Sequence, residues 1–110
     1  MKRQSKEARF QSNLIRELKK RFPDCMVMKL DANYIQGIPD LLFLRGKHWA
    51  TLECKRDRYA RKQPNQQYYV DKMNEMSFSR IIFPENKEEV LNELEQAFGS
   101  DGGACLPVTK

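Results

Sequence analysis

The apolar residues of the chain recur at two kinds of spacing, and these spacings predict helices and strands. Spacings of three or four residues predict helices, whereas short apolar runs bounded by turn residues predict strands. We predict helices over residues 5–22, 64–76 and 86–98, and strands over residues 25–31, 41–45, 49–55 and 79–83. The predicted order of elements is therefore α-β-β-β-α-β-α.

Turn and capping residues support these boundaries. Pro23 ends the first helix, and the tight turn at residues 46–48 joins the second and third strands into a hairpin. Pro64 suits the first turn of a helix because its missing N–H has no helical partner there. Asn86 with Glu89 three residues later resembles a capping box at the start of the last helix.

A helix between the third and fourth strands makes that connection a parallel, right-handed crossover. The hairpin is antiparallel, so the sheet is mixed. We therefore predict an α/β fold in which helices flank a mixed four-stranded sheet. Residues 1–98 form one domain, and the Gly-rich residues 99–110 form a flexible C-terminal tail.

Composition narrows the class of protein. The chain has 110 residues, of which 40% are hydrophobic and 32% charged, as in an ordinary globular domain. Its longest apolar runs have four residues or fewer, too short to span a bilayer, and no apolar stretch of a secretory signal follows the basic N-terminus. Cys25, Cys54 and Cys105 lack metal-ligand spacing. We expect free thiols in a reducing, cytoplasmic location.

The net charge of +5 is unevenly distributed. Residues 1–22 carry eight basic and two acidic side chains, and residues 45–62 carry seven and two. Residues 85–95 reverse the sign, with five Glu and one Lys. Separate basic blocks favour a positively charged face that binds a polyanion such as DNA, although a solvated basic surface is an equal alternative on charge alone.

Candidate chemistry lies in Pro39-Asp40 followed by Glu53-Cys54-Lys55. Each half is common in sequences, but here Asp40 opens a hairpin whose second strand carries the Glu-x-Lys. Strand alternation puts Glu53 and Lys55 on one face and Cys54 on the other. Two neighbouring carboxylates favour a hard cation such as Mg²⁺ or Mn²⁺, which lowers the pKa of a bound water for attack on a phosphodiester. The alternative is a cross-strand charge network.

Two polar side chains lie on predicted apolar faces. Glu7 is central in the stripe of Phe10, Leu14 and Leu18, where an unpaired carboxylate is costly. Gln66 projects on the inward face of the second helix and could hydrogen-bond Lys55 or a phosphate. A solvated first turn is the alternative for Glu7, and a satisfied helix N-terminal polar group is the alternative for Gln66.

Other candidates are weaker. His48, the one histidine, lies in the hairpin turn, so no multi-histidine metal site is available. The segment from Arg56 to Gln63 is a polar, basic connection between the third strand and the second helix. Tyr68 and Tyr69 follow this basic connection and could stack on a base, but packing is the more common use of such residues.

The motifs together resemble a known family. Glu7-x-x-x-Gln11, Gly37-Ile38-Pro39-Asp40, Glu53-Cys54-Lys55 and Gln63-Pro64-Asn65-Gln66 resemble, in order and spacing, the VRR-NUC branch of the PD-(D/E)XK nucleases. The resemblance covers about residues 5–98. It implies a restriction-endonuclease-like core and a Mg²⁺- or Mn²⁺-dependent DNA endonuclease. Cys54 stands where Val or Leu is more usual.

The resemblance also implies roles for individual residues. Asp40 and Glu53 would be metal ligands with the backbone carbonyl of Cys54, and Glu7 would be a further acidic ligand. Lys55 would be the catalytic lysine and Gln66 the motif glutamine. The chain is similar in length to stand-alone virus and phage members, which are dimeric enzymes that cleave branched DNA such as Holliday junctions.

We expect DNA to be held by five basic residues, namely Lys47, Arg56, Arg58, Arg61 and Lys62. Three alternatives to a junction-cleaving homodimer stay open. One is a flap or linear-duplex nuclease, and another is a catalytically silent DNA-binding module of the same fold. The third is a protein-interaction domain that docks through its acidic last helix.

Overall fold

A computed structural model describes residues 4–99; Cys105 and the predicted tail beyond Gly99 lie outside that range. Three helices and four strands follow in the predicted order. The helices are α1 (Lys6–Arg21), α2 (Pro64–Met76) and α3 (Lys87–Phe98), and the strands are β1 (Met26–Lys29), β2 (Leu41–Arg45), β3 (His48–Cys54) and β4 (Phe78–Ile82). None of these helices is long and apolar enough to cross a membrane.

The sheet confirms the predicted mixed topology. Its strand order is β1-β2-β3-β4, with antiparallel pairing of β1 to β2 and of β2 to β3. β3 and β4 are parallel, and α2 is the crossover between them. Arg45 pairs with His48, so the hairpin turn contains only Gly46, with a φ of 60°, and Lys47.

Three of the four strands differ from the prediction at their ends. β3 comprises His48–Cys54 and not residues 49–55, because His48 already pairs with Arg45. β1 is shorter than residues 25–31 because Asp31 begins a turn, in which its backbone carbonyl accepts from the Tyr34 N–H at 3.0 Å. β4 begins at Phe78, and it ends before Phe83 because the Phe83 N–H donates to the Asn86 side chain at 2.8 Å.

The predicted cap of α3 was wrong in its detail. The Asn86 side chain does not cap the helix. Its Oδ1 accepts from Phe83 N, and its Nδ2 donates to the Ile81 carbonyl at 3.0 Å. Asn86 therefore stabilises the 3₁₀ turn Pro84–Asn86 that leads into α3.

The core lies between one face of the sheet and the helices α1 and α3. Paired residues of adjacent strands project to the same face. On this face Phe43, Ala50, Leu52 and Cys54 are buried, and apolar residues of the two helices cover them: Leu14, Leu18, Val90, Leu91, Leu94 and Phe98. Cys54 thus faces the core, as predicted.

Helix α2 lies on the opposite face, where it contacts β3 and β4. Here the Thr51 hydroxyl donates to Ser79 at 2.7 Å and also lies 3.3 Å from the Met73 sulfur. The same face over β1 and β2 carries the exposed Met26 and Met28. The half of this face over β1 and β2 is therefore apolar, and no helix of the described residues covers it.

Candidate active site

Asp40 is fixed at the point where β2 begins. Its backbone carbonyl accepts from the Leu30 N–H at 2.8 Å, which ties it to the end of β1. Its Oδ2 accepts from the Cys54 N–H at 2.9 Å, so the carboxylate reaches across to the end of β3. The N–H and carbonyl of a strand residue point to the same side. The Cys54 carbonyl therefore lies on the side of Asp40.

Glu53 and Lys55 are neighbours on one side of β3. They are only 1% and 6% exposed, and Lys55 Nζ lies 3.5 Å from Glu53 Oε2. Alternation along the strand explains this proximity, because residues two apart project to the same face. The structure thus brings together the three residues of the predicted Asp, Glu and Lys constellation.

Gln66 connects the two members of this pair. Its Oε1 accepts from Lys55 Nζ at 2.7 Å, and its Nε2 donates to Glu53 Oε2 at 2.8 Å. The same Oε1 accepts from the Gln63 N–H at 3.2 Å, at the start of α2. Glutamine at the third helical position is a common partner of the residue before a helix. Here that local contact also orients the buried lysine.

Gly37 sets how closely the Asp40 loop approaches α2. Its φ is +92°, and a Cβ added there would lie 2.4 Å from the Cβ of Asn65. A side chain at this position would therefore push apart the segments that carry Asp40 and Gln66. The sequence indicates a turn at Gly37, but no sequence signal identifies Asn65 as its neighbour.

Burial and mutual repulsion disfavour the charged forms of the acidic groups. Burial raises the pKa of Glu53 to about 7, and the nearby Asp40 carboxylate adds to this effect while Lys55 opposes it. Burial also raises the pKa of Asp40, against the Cys54 N–H and Lys55. The site therefore holds more negative charge than its one lysine compensates.

Glu7 lies at the edge of this group. Burial raises its pKa, as does Asp40, whereas Lys55 and Arg56 lower it. Glu7 is half-buried in the first turn of α1 and lines a cavity of about 360 Å³ with Ser5, Lys6 and Arg56. It thus shares the electrostatic field of Asp40 and Lys55, and its first-turn position keeps it accessible.

The donor set fits a hard cation. Within residues 4–99, no three His, Cys, Asp or Glu side chains converge into a ready-made metal site. Asp40 and Glu53 instead offer two carboxylates, and Glu53 Oε1 is buried with no hydrogen-bond partner in this range. A buried carboxylate oxygen without a donor is costly, and Mg²⁺ often takes only one or two carboxylates. Glu53 Oε1, which has no donor among residues 4–99, and the nearby Asp40 carboxylate are suitable ligands for Mg²⁺.

Four of the five predicted DNA-binding residues lie on the connection from Lys55 to α2. Arg56 and Arg58 make exposed ion pairs with Asp57 and Glu85, each at 3.7 Å, and Arg61 and Lys62 are also exposed. The structure does not bring Lys47 into this group. Lys47 lies in the hairpin turn at the other end of β3, roughly 20 Å away by strand length.

Three further sequence candidates, His48, Tyr68 and Tyr69, make their ring contacts with residues outside the site. His48 stacks on Phe98 with ring centroids 4.8 Å apart, at the hairpin turn. Tyr68 and Tyr69 contact each other edge-to-face at 5.1 Å on α2. Sequence reasoning passed over Tyr34 and Tyr59, which are far more exposed. An aromatic within the basic connection was the available signal for Tyr59.

Comparisons of the chain with models of protein families, with curated proteins and with solved structures found no match. The function is therefore inferred from the side chains of this chain. Those side chains are the buried Glu53, the half-buried Asp40, the buried Lys55 and the glutamine that connects Lys55 to Glu53.

Proposed function

We propose that this protein is a divalent-metal-dependent endonuclease that hydrolyses phosphodiester bonds in DNA, on a restriction-endonuclease-like core of the VRR-NUC type. One observation carries the proposal. Glu53 is buried, its Oε1 has no hydrogen-bond partner among residues 4–99, and it lies near a second carboxylate and 3.5 Å from a buried lysine. A stable fold gains nothing from a buried carboxylate that is repelled by a second, half-buried one, whereas a metal-assisted hydrolase uses such a pair.

Asp40, Glu53 and the Cys54 carbonyl would hold Mg²⁺ or Mn²⁺, with Glu7 as an outer acidic ligand or one that acts through water. All of these are hard oxygen donors, which both ions prefer. When bound, the ion supplies Lewis-acid chemistry and a nucleophilic water at neutral pH. The raised pKa of Glu53 means that cation binding competes with a proton at this carboxylate.

Lys55 contributes a positive charge held in a fixed place. Lys55 is 6% exposed, and its ammonium donates to Gln66 Oε1 at 2.7 Å. A preorganised charge near the scissile phosphate stabilises the negative charge that develops there, at no cost of reorganisation. Lys55 is thus the catalytic lysine, and Gln66 is a positioning residue that holds Lys55 and Glu53 in register.

The basic connection and the start of α1 together support the DNA-binding part of the proposal. Lys6, Arg9 and Arg56 line one cavity of about 330 Å³, so the two basic blocks of the sequence meet beside the site. Arg58, Arg61 and Lys62 extend this charge along the connection. Positive charge beside a site that cleaves phosphodiesters binds the phosphate backbone of DNA and does not distinguish base sequences.

Branched DNA and a homodimer complete the proposal. The described chain carries one Asp40–Glu53–Lys55 site, whereas resolving a four-way junction requires two nicks related by two-fold symmetry. A C₂ dimer supplies two sites in matching orientation. Phe78 is buried against Phe98, with ring centroids 6.0 Å apart, and is therefore not available to a dimer interface.

We propose instead that the interface lies on the sheet face opposite the core, over β1 and β2, where no helix of the described residues covers the strands. Met26 and Met28 are exposed there, next to Leu42 and Leu44 on the paired strand β2. β1 is also the edge of the sheet, and antiparallel pairing of two β1 edges would itself generate a two-fold axis. Met28→Glu should therefore give monomers in analytical ultracentrifugation with and without junction DNA, whereas a dimeric variant would contradict this surface.

The experiment that tests the function is a nuclease assay on linear, flap and four-way DNA with Mg²⁺, Mn²⁺ or EDTA. We expect cleavage with either ion, none with EDTA, and paired nicks on the four-way substrate. Binding without cleavage under every metal condition would favour the silent DNA-binding module. Cleavage of flap or linear duplex alone would favour the simpler nuclease.

The acidic residues between positions 85 and 95 offer little support for the alternative that the protein binds another protein through α3. Arg21 pairs with Glu88 at 3.7 Å and with Glu95 at 3.3 Å, and Arg80 pairs with Glu93 at 3.0 Å. The carboxylates of α3 are thus partly engaged within the chain. A DNA gel shift at increasing salt separates the two classes, because only a DNA-binding protein shows a steep salt dependence.

A further inference from the structure

Two tyrosines on the loops around the candidate site are almost fully exposed. Tyr34 is 83% and Tyr59 is 85% exposed, against 58% for Tyr68 on α2. Tyr34 lies on the loop before Asp40, and Tyr59 lies on the basic connection after Lys55. Singly exposed aromatic rings are ordinary on protein surfaces, so the surroundings of each ring decide whether it has a ligand.

Both tyrosines are presented by turns of the same design. Asp57 Oδ1 accepts from the Tyr59 N–H at 2.8 Å, and its backbone carbonyl accepts from the Ala60 N–H at 3.3 Å. Asp31 Oδ1 accepts from the Asn33 N–H at 2.8 Å, and its carbonyl accepts from Tyr34. Such self-bonded turns fix the backbone under each ring, so little conformational entropy is lost when a ligand contacts it.

The two loops meet at the start of α2. The Tyr34 loop contacts α2 through Gly37 and Asn65, and the Tyr59 connection runs into α2 at Pro64. Residues of both segments, including Gln36 and Gln63, line a cavity of about 490 Å³ with Gln66. The segments that carry the two rings therefore both contact the start of α2, where Gln66 lies.

The surroundings of Tyr59 identify the chemistry of its ligand. Arg56, Arg58, Arg61 and Lys62 surround it in the sequence, and all four are exposed. Aromatic rings among backbone-binding cations are typical of surfaces that bind single-stranded nucleic acid, because bases stack on the rings while phosphates contact the cations. A base within a duplex is already stacked on both faces and offers none to a ring.

We propose that Tyr59, assisted by Tyr34, forms a stacking platform for unpaired nucleobases next to the cleaved strand, so that the protein selects DNA with unstacked bases over continuous duplex. This inference rests on the proposed function and names the residues that recognise branched substrate. It assigns the selection to stacking on these rings, and the phosphate contacts of the connection to affinity for any DNA.

Equilibrium binding in EDTA tests the platform without cleavage. The probes are a duplex and a matched duplex with a single-stranded arm that carries 2-aminopurine at the junction. We expect Tyr59→Ala to weaken binding of the armed DNA by about 5-fold to 100-fold and to abolish the fluorescence change of the base, because a stacked base is lost. Duplex affinity should stay unchanged.

Two control variants make the result specific. Tyr59→Phe keeps the ring and should retain both affinity and signal, whereas Tyr68→Ala removes an exposed tyrosine on α2 and should change neither. Equal loss on both DNAs, or a Tyr59→Phe variant as weak as Tyr59→Ala, would overturn the stacking platform.

Cleavage by the wild type separates the two proposals. If wild-type protein cleaves with Mg²⁺ but Tyr59→Ala prefers armed DNA as strongly, the platform is refuted and the nuclease stands. If no DNA is cleaved but Tyr59-dependent stacking is present, the platform stands on a protein that only binds.

Discussion

The β2–β3 hairpin buries charge at both of its ends, and the two ends compensate that charge differently. At the turn end, Arg45 Nε lies 2.9 Å from Asp24 Oδ1, and its Nη1 donates to the carbonyls of Phe98 and Gly99. At the open end, Glu53 shares one lysine with Asp40. Each end leaves one buried atom without a partner among the described residues, Arg45 Nη2 and Glu53 Oε1.

The pKa shifts at the two ends have opposite signs. The hydrogen bond from Arg45 lowers the pKa of Asp24, so the turn end favours its carboxylate in the charged form. At the open end burial raises the pKa of Glu53 to about 7, so that charge is disfavoured. A charge pair that serves the fold is balanced by the fold itself. The excess negative charge at the open end indicates a site that a ligand completes.

Removal of either carboxylate at the open end should have the largest effect on activity. Asp40→Asn and Glu53→Gln should each abolish cleavage with Mg²⁺ while circular dichroism shows an intact fold, because each removes charge that the ion needs. DNA binding should survive, since less negative charge faces the phosphates.

Glu17→Gln is the matched control for these two variants. Glu17 also belongs to a Glu-x-Lys sequence, but it pairs with Lys87 at 2.7 Å on the surface of the core helices. The Glu17→Gln variant should cleave DNA as the wild type does. Near wild-type cleavage by Asp40→Asn or Glu53→Gln would show that the site is assigned to the wrong residues.

Loss of the lysine should be less severe. Lys55→Ala should lower the rate of the chemical step by roughly 10²–10³-fold, the range for loss of one preorganised stabiliser. Single-turnover cleavage at saturating metal measures this step, and Ca²⁺ affinity should change much less. Loss of metal affinity with normal turnover at saturating metal would instead make Lys55 a structural partner of the carboxylates.

The turn end should respond in stability and not in chemistry. Arg45→Met should lower the free energy of unfolding by about 2–4 kcal/mol, because two carbonyls at the end of α3 lose a charged donor. Urea unfolding measures this loss, and the cleavage rate at low temperature should match the wild type. A reduced rate with unchanged stability would show that the two ends do not have separate roles.

The fold was predictable because its signals are local. The Gly46-Lys47 turn, Pro64 and the apolar spacing of α1 specify the order of elements without long-range information. The side-by-side placement of Glu53 and Lys55 follows from strand alternation alone. The one failed cap, at Asn86, arose because its side chain bonds backward to Phe83 and Ile81.

One feature of the site was beyond the sequence. The contact of Gly37 with Asn65 joins residues far apart in the chain, and no local pattern encodes it. The position of Lys47 was predictable, because the predicted turn at residues 46–48 places it at the end of β3 opposite Lys55. The sequence thus predicted candidate site residues, and the tertiary contacts decided which of these candidates lie close together.

The smallest expected effect is on stability against pH, where the two ends should oppose each other. Because the pKa of Glu53 rises from 4.5 to about 7 on folding, the folded protein keeps a proton that the unfolded chain releases between these values. The free energy of unfolding should therefore fall as pH rises through this window, and Glu53→Gln should reduce the fall by about 1–2 kcal/mol.

Asp24 acts in the opposite direction: its lowered pKa gives stability that is lost as pH falls below about 4, and Arg45→Met should remove that loss. Urea unfolding of the three proteins from about pH 2 to pH 8 measures both slopes. Saturating Mn²⁺ should flatten the Glu53 slope, because a bound cation holds the carboxylate charged in the folded state. Identical profiles for wild type and Glu53→Gln would mean that Glu53 is already compensated and that the open end resembles the turn end.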